Sequence, residues 1–194
     1  LWAVRTADAV YIAVKAGNRT LTKDELKAYI NALGGDTVDL ALKLMLFSGG
    51  QRMAQLLRAE VIDWDGKILR LVDPKGKRQH PREHLLPLAP IASSIVSSLV
   101  KRAQVQGSRW LFPSKAETHV HVSAPGPRVT QIAQDIGSEP FDLRDVRRTV
   151  ETMLAGMGVS REIRAQLLSH GISGVQAQHY DRHDYMKEKR GALL

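Results

Sequence analysis

The sequence predicts an α+β domain, mainly α-helical, with a small three-stranded antiparallel sheet. Two observations predict it: apolar residues recur at helical spacing through most of the 194 residues, and a β-textured stretch around Asp65-Gly66 interrupts them. The chain is 43% hydrophobic and 25% charged, enough apolar content for a well-filled core in a globular protein.

The elements follow in order. "TKDEL" at 22–26 has the capping-box form T-x-x-E, and Leu26, Tyr29, Ile30 and Leu33 repeat at helical spacing up to Gly34-Gly35. "TVDLALKLMLF" (37–47) is apolar nearly all round, as a helix buried on most sides requires. "SGGQR" breaks it before a shorter helix carrying Met53, Leu56 and Leu57. "VIDWDGKILRLVD" reads as a hairpin turning at Asp65-Gly66, and "EHLLPLA" (83–89) supplies a third strand after a basic loop. Ile91, Ile95, Val96, Leu99 and Val100 restore the helical period, and "SAPGPR" (123–128) reads as a loop before "VTQIAQDIG". "DLRDVRRTVETMLAGMG" and "SREIRAQLLSHG" are helices with Asp142 and Ser160 as N-caps and Gly171 as a C-terminal stop. The chain closes on a basic, helix-favouring tail, "YMKEKRGALL".

Charge narrows the function classes. Lys and Arg number 28 against 20 Asp and Glu, a net charge of +8, which favours a polyanion such as nucleic acid or an acidic membrane surface. The absence of cysteine excludes disulfides, thiolate metal sites and a Cys nucleophile, and fits a reducing cytoplasm. No apolar run reaches membrane-spanning length. The chain opens on Leu without a signal-like segment, so a longer protein with a further domain upstream is expected.

Several polar residues are candidates for chemistry. Arg144 and Arg147 stand three apart on one helix, so both guanidinium groups can grip one phosphate, although a solvated basic helix face has the same pattern. Arg52 follows two glycines that let the backbone bend sharply where an anion could sit; a C-cap followed by a surface arginine reads the same way. The loop "PKGKRQHPR" (74–82) holds Lys75, Lys77, Arg78 and Arg82, the density of a segment touching a nucleic-acid backbone or of a solubilising hairpin tip. His170 sits at a helix end, where a core or capping histidine is the common explanation. His179 and His183, four apart, and His119 and His121, around a valine, lack a carboxylate or cysteine to complete a metal site.

Taken in order, the series Arg52, Lys75, Arg144-x-x-Arg147, His170, Tyr180 resembles the R…K…H-x-x-R…H…Y signature of the tyrosine site-specific recombinases, the phage-integrase family. "LMLFSGGQRMAQLLRAEVIDWDGKILRL" is similar to the family's first arginine box, "RDVRRTVETMLAGMG" to its second, and "LLSHGISGVQAQHYDRHDYMKEKRGAL" to its third, with the ending seen in prophage and genomic-island integrases. Two positions depart from the pattern: Arg144 occupies the usual histidine slot, and Gln55 stands where an acidic residue is common.

The resemblance implies the recombinase catalytic-domain fold over residues 1–194, with a DNA-clamping domain upstream. It implies that Tyr180 attacks a DNA phosphodiester, giving a 3′-phosphotyrosine and a free 5′-hydroxyl, with no metal or nucleotide cofactor consumed. An ordinary phenol has a pKa of about 10, so roughly a thousandth is phenolate at neutral pH and nearby cations must help. Arg52, Arg147 and Arg144 would supply that potential and stabilise the phosphorane-like transition state, and His170 would donate to a phosphate oxygen. Lys75 would protonate the leaving oxygen, with Lys77 as its competitor in the same loop. Tyr185 is the rival nucleophile, but Tyr180 fits the HY-D-R context and the ten-residue interval from His170. Lys77, Arg78, Arg82 and Arg148 would contact the DNA backbone. The expected partners are double-stranded attachment sites and further copies of the chain in a tetrameric synapse, with the tail docked on a neighbour or on its own domain. DNA-bending or excision proteins would assist, in the bacterial cytoplasm at the nucleoid. A non-cleaving DNA-binding relative and a type IB topoisomerase-like nicking-closing enzyme are the alternatives.

Overall fold

The computed structural model describes residues 19–73, 82–114, 118–169 and 183–194. Helix α1 (Lys23–Ala32) starts at the expected capping box: Glu25 N–H donates to Thr22 Oγ1 at 3.2 Å, and the Thr22 N–H donates back to Glu25 Oε2 at 2.8 Å. Helix α2 (Thr37–Phe47) is capped by Asp36 and buries Leu40, Ala41, Leu42, Leu44, Met45 and Leu46, as its all-round apolar sequence requires. A single turn, α3 (Met53–Leu56), follows the glycine break.

The sheet corrects the expectation of three strands. Among the described residues it has two, β1 (Ile68–Asp73) and β2 (Arg82–Pro87), antiparallel, with Ile68 opposite Pro87 and Asp73 opposite Arg82. The turn at Asp65-Gly66 forms, with Asp65 Oδ1 accepting from the Lys67 and Ile68 amides at 2.8 and 2.7 Å. Its first arm does not become a strand. Val61–Asp63 winds into a 3₁₀ turn closed by the buried Asp63, whose Oδ2 accepts the Glu60 N–H and whose Oδ1 accepts Arg70 Nε, both at 2.9 Å. Only the isolated bridge Trp64–Leu69 remains of the ladder there.

Helix α4 (Pro90–Val105) begins with proline at its first position, and so does α5 (Pro125–Asp135). The second corrects the loop expected at "SAPGPR": the φ of Pro125 already suits a helix, and its missing N–H would be unpaired there anyway. Helices α6 (Leu143–Gly156) and α7 (Arg161–Leu167) are capped by Asp142 and Ser160 as expected, while Gly171 lies outside the described residues. Helix α8 (Met186–Leu193) packs on α7 and β2.

One core joins α1 through α7 and the hairpin, around Tyr29, Leu42, Leu44, Leu56, Leu69, Leu86 and Phe112. Asp39 is buried beside it and held by Arg128, whose Nε and Nη2 donate to the two carboxylate oxygens at 2.8 and 2.9 Å. Burial raises the Asp39 carboxyl, but the Arg128 bonds and the Gly34 amide outweigh it, leaving it below the usual carboxylate range. Among the described residues no helix is long and apolar enough to cross a membrane.

Candidate active site

The break after α2 builds one wall. Gly49 and Gly50 take φ of +86° and +80°, where a side chain is strained, and Gly49 is also crowded. A Cβ on Gly49 would meet Leu167 Cδ2 at 2.7 Å and Leu193 Cδ2 at 3.1 Å; one on Gly50 would meet Arg147 Cγ at 3.5 Å. The turn delivers Arg52 to the N-cap position of α3. That helix has four residues, so attraction for an anion here rests on the guanidinium rather than on a helix end.

The second arginine reaches the same place from α6. Arg147 Nη1 donates to the Gly50 carbonyl at 2.6 Å and Nη2 to the Leu168 carbonyl at 2.9 Å, while Arg52 Nη1 donates to the Ser169 carbonyl at 3.2 Å. The end of α7 therefore carries both arginines. Its last carbonyls have no partner within the helix, and side chains from distant segments satisfy them. Ser169, at φ 51°, adopts the left-handed conformation that commonly ends a helix. Burial, and then the charge of Arg52, hold the Arg147 guanidinium down to about 10, against a smaller opposing pull from Glu151. Two cations kept this close under partial burial form a site that an anion stabilises.

Arg144, one turn before Arg147, is exposed, and its guanidinium makes no hydrogen bond among the described residues. Arg148 is engaged within the protein: its Nη1 donates to Asp145 Oδ1 at 2.6 Å and to the Arg19 carbonyl at 3.0 Å. Arg82 opens β2 opposite Asp73. Tyr180, His170, Lys75, Lys77, Arg78 and His179 lie outside the described residues. Of the expected catalytic set, the structure thus brings Arg52 and Arg147 together and sets Arg144 on the same helix as Arg147.

The rival tyrosine is placed elsewhere. Tyr185 donates its hydroxyl to Glu162 Oε1 at 2.7 Å, at the start of α7, so its oxygen is committed to a carboxylate rather than to the arginines. His183 Nε2 contacts Glu188 Oε1 at 2.9 Å, His119 Nδ1 lies 2.8 Å from the Val120 carbonyl and His121 Nδ1 lies 2.6 Å from Ser123 Oγ. Among the described residues no three His, Asp or Glu side chains gather as a metal site needs.

Two polar residues at the site carry no sequence signal. Gln51, fully buried, donates from Nε2 to the carbonyls of Ser48 and Leu167 at 2.8 and 3.0 Å. His84, buried on β2, has its Nε2 3.0 Å from the same Leu167 carbonyl.

Residues 19–187 match the family model described as the phage integrase family. The chain belongs to that family. A phage-integrase relative, prophage integrase IntF of Escherichia coli (strain K12), is 24% identical over 182 residues, covering 89% of this chain and 37% of that protein. This chain therefore spans little more than a third of that integrase. Among solved structures, XerA recombinase superimposes with a TM-score of 0.67 at 20% identity, over 84% of this chain and 66% of that one. The integrase from mycobacterium phage Brujita gives 0.67 at 14% identity, over 92% and 58%. XerH site-specific recombinase bound to difH substrate gives 0.61 at 16%, over 78% and 47%. The integrase fold is thus shared.

Proposed function

We propose that this chain is the catalytic domain of a site-specific recombinase that integrates or excises a mobile element. The observation that supports it is the seating of Arg52 and Arg147 on consecutive carbonyls, Ser169 and Leu168, immediately before His170 in sequence. A phosphate set against this pair meets two forks that neutralise its non-bridging oxygens as charge builds in the transition state. Tyr180 gives up its phenolic proton to solvent water and attacks the phosphorus, the tyrosyl O–P bond forms, and the bond to the 5′-oxygen breaks as Lys75, or Lys77 from the same loop, supplies its proton. Reversal by a partner strand's 5′-hydroxyl reseals the duplex, and the phosphotyrosine keeps the energy of the original bond. No step requires a metal or a nucleotide.

Exchanging both strands of two duplexes takes four cleavages, hence four copies on paired attachment sites. Lys77, Arg78 and Arg82 follow the DNA backbone, and Arg148 joins them after releasing Asp145. In the single chain the tail lies on its own domain, with the buried Lys189 donating to the Leu85 carbonyl at 3.1 Å. Docking on a neighbour would exchange that seat for an equivalent one. The protein acts in the cytoplasm, where its DNA is, with DNA-bending or excision proteins as helpers. Arg144 in the histidine slot favours a second reading, a relative that binds DNA without cutting it.

The test is a nicked suicide duplex bearing the element's attachment core. The parent should form a covalent adduct, and Tyr180→Phe should lose it while retaining DNA binding, since one hydroxyl adds little beside many phosphate contacts. Binding without an adduct in the parent supports the non-cleaving relative. Relaxation of supercoiled plasmid without strand exchange indicates the nicking-closing enzyme.

A further inference from the structure

We infer that Gln51 is a positioning residue that sets the two arginines against the phosphate by tying the turn before Arg52 to the end of α7; this rests on reading Arg52 and Arg147 as phosphate ligands. The Gln51 amide joins two helix ends, the Ser48 carbonyl after α2 and the Leu167 carbonyl of α7. Among the described residues its own Oε1 is buried without a hydrogen-bond partner. An orphaned acceptor weakens a core, and an apolar side chain of the same length would fill the space without one. What Gln51 supplies that such a side chain would not is its two N–H groups and the geometry they impose.

That geometry converges on three successive carbonyls. Leu167 accepts Gln51 and, since a carbonyl can only accept, the Nε2–H of His84; Leu168 accepts Arg147; Ser169 accepts Arg52. The first of the three therefore receives groups from the first arginine box and from the strand leaving the lysine loop. Gln51 adjoins Arg52, so its tie fixes where the Arg52 backbone stands relative to the carbonyl that its side chain grips. Arg147 is keyed to the same turn through Gly50. Without the tie the turn could shift against α7, and a displacement on the order of 1 Å is enough to degrade catalysis.

The test compares the parent with Gln51→Met, which keeps length and volume but has no donor, and Gln51→Glu, which sets negative charge against two carbonyls. Guanidinium N–H exchange is followed by NMR, and orthovanadate serves as the phosphate-like probe. In Gln51→Met, still cooperatively folded, Arg52 and Arg147 should exchange at least roughly tenfold faster while Arg128, held by Asp39, is unchanged, and vanadate should bind roughly tenfold more weakly. Gln51→Glu should lose more affinity than Gln51→Met. Parental exchange rates at both site arginines, or equal acceleration at Arg128, would overturn the positioning role. A parent that ignores vanadate would instead count against the phosphate site, and the exchange comparison still decides for or against Gln51.

Discussion

Arg52 and Arg147 hang from adjacent carbonyls of one helix end, Ser169 at 3.2 Å and Leu168 at 2.9 Å, and burial, then the charge of the first, depresses the protonation of the second. The sign of the resulting pH dependence is fixed. Below about pH 10 Arg147 is protonated in both folded and unfolded chains, and its desolvated charge weighs on the fold; above that, the folded state releases the proton first. The parent should therefore gain stability relative to Arg147→Met as pH rises from 9 to 11, by at most about 1.4 kcal/mol per unit. Urea unfolding of both proteins across that range reads it. Arg147→Met should also cleave at least roughly a hundredfold more slowly, the scale of losing a transition-state donor.

On the proposed reading Arg144 fills the family's histidine slot, one of two departures from the motif with Gln55. Arginine stays protonated under working conditions and offers only donors and charge, so with Tyr180 as the proposed nucleophile its proton must leave by another route. Arg144→Ala should slow single-turnover cleavage by orders of magnitude, Arg144→Lys less and Arg144→His least. The parental rate should keep rising with pH beyond the histidine range, whereas the histidine variant should add a titration near neutrality. Cleavage by Arg144→Ala at the parental rate would reduce the residue to surface charge.

Lys75 is tested by its leaving group. Lys75→Ala should cleave ordinary DNA poorly but recover on a substrate whose bridging 5′-oxygen is sulfur, which departs without a proton. Rescue of Lys77→Ala in its place reassigns the role, and equal impairment on both substrates removes it from Lys75.

Asp39 and Arg128 support the fold away from the site. Arg128→Met leaves a buried carboxylate unpaired and should destabilise by about 3 kcal/mol, the lower end of the range because the Arg128 side chain is 31% exposed. In the parent, Asp39 is held low, so its contribution is present above the ordinary carboxylate pKa and fades as pH falls through the depressed one. In the variant, protonation relieves an unpaired charge. The stability gap between the two should therefore narrow in acid, as thermal unfolding at pH 7 and pH 4 will show.

What the sequence made legible was local. Thr22 with Glu25, Asp142 and Ser160 each cap a helix from within three residues, so their pattern is complete in a short window. The 3₁₀ turn at Val61–Asp63 was not legible, because β-type residues there are overruled by Arg70 on Asp63 and by the Val61 N–H donating to the Arg109 carbonyl at 2.8 Å. Arg52 and Arg147 stood out through their motif. Gln51 and His84 did not, since their meaning lies in one carbonyl 116 and 83 residues away.

The same separation dictates when the site can exist. Arg52 grips a carbonyl 117 residues further on, and Gly49 is roofed by Leu193, next to the last residue of the 194. On the ribosome, the first arginine emerges long before anything it can hold, and helices such as α1 and α2 can form while it waits. A stalled or prematurely terminated product that stops short of α7 has no carbonyl ladder and cannot assemble the arginine pair. Order at the arginine pair is thus a late event in folding, gated by the arrival of the carbonyls that end α7 rather than by the helices that precede them.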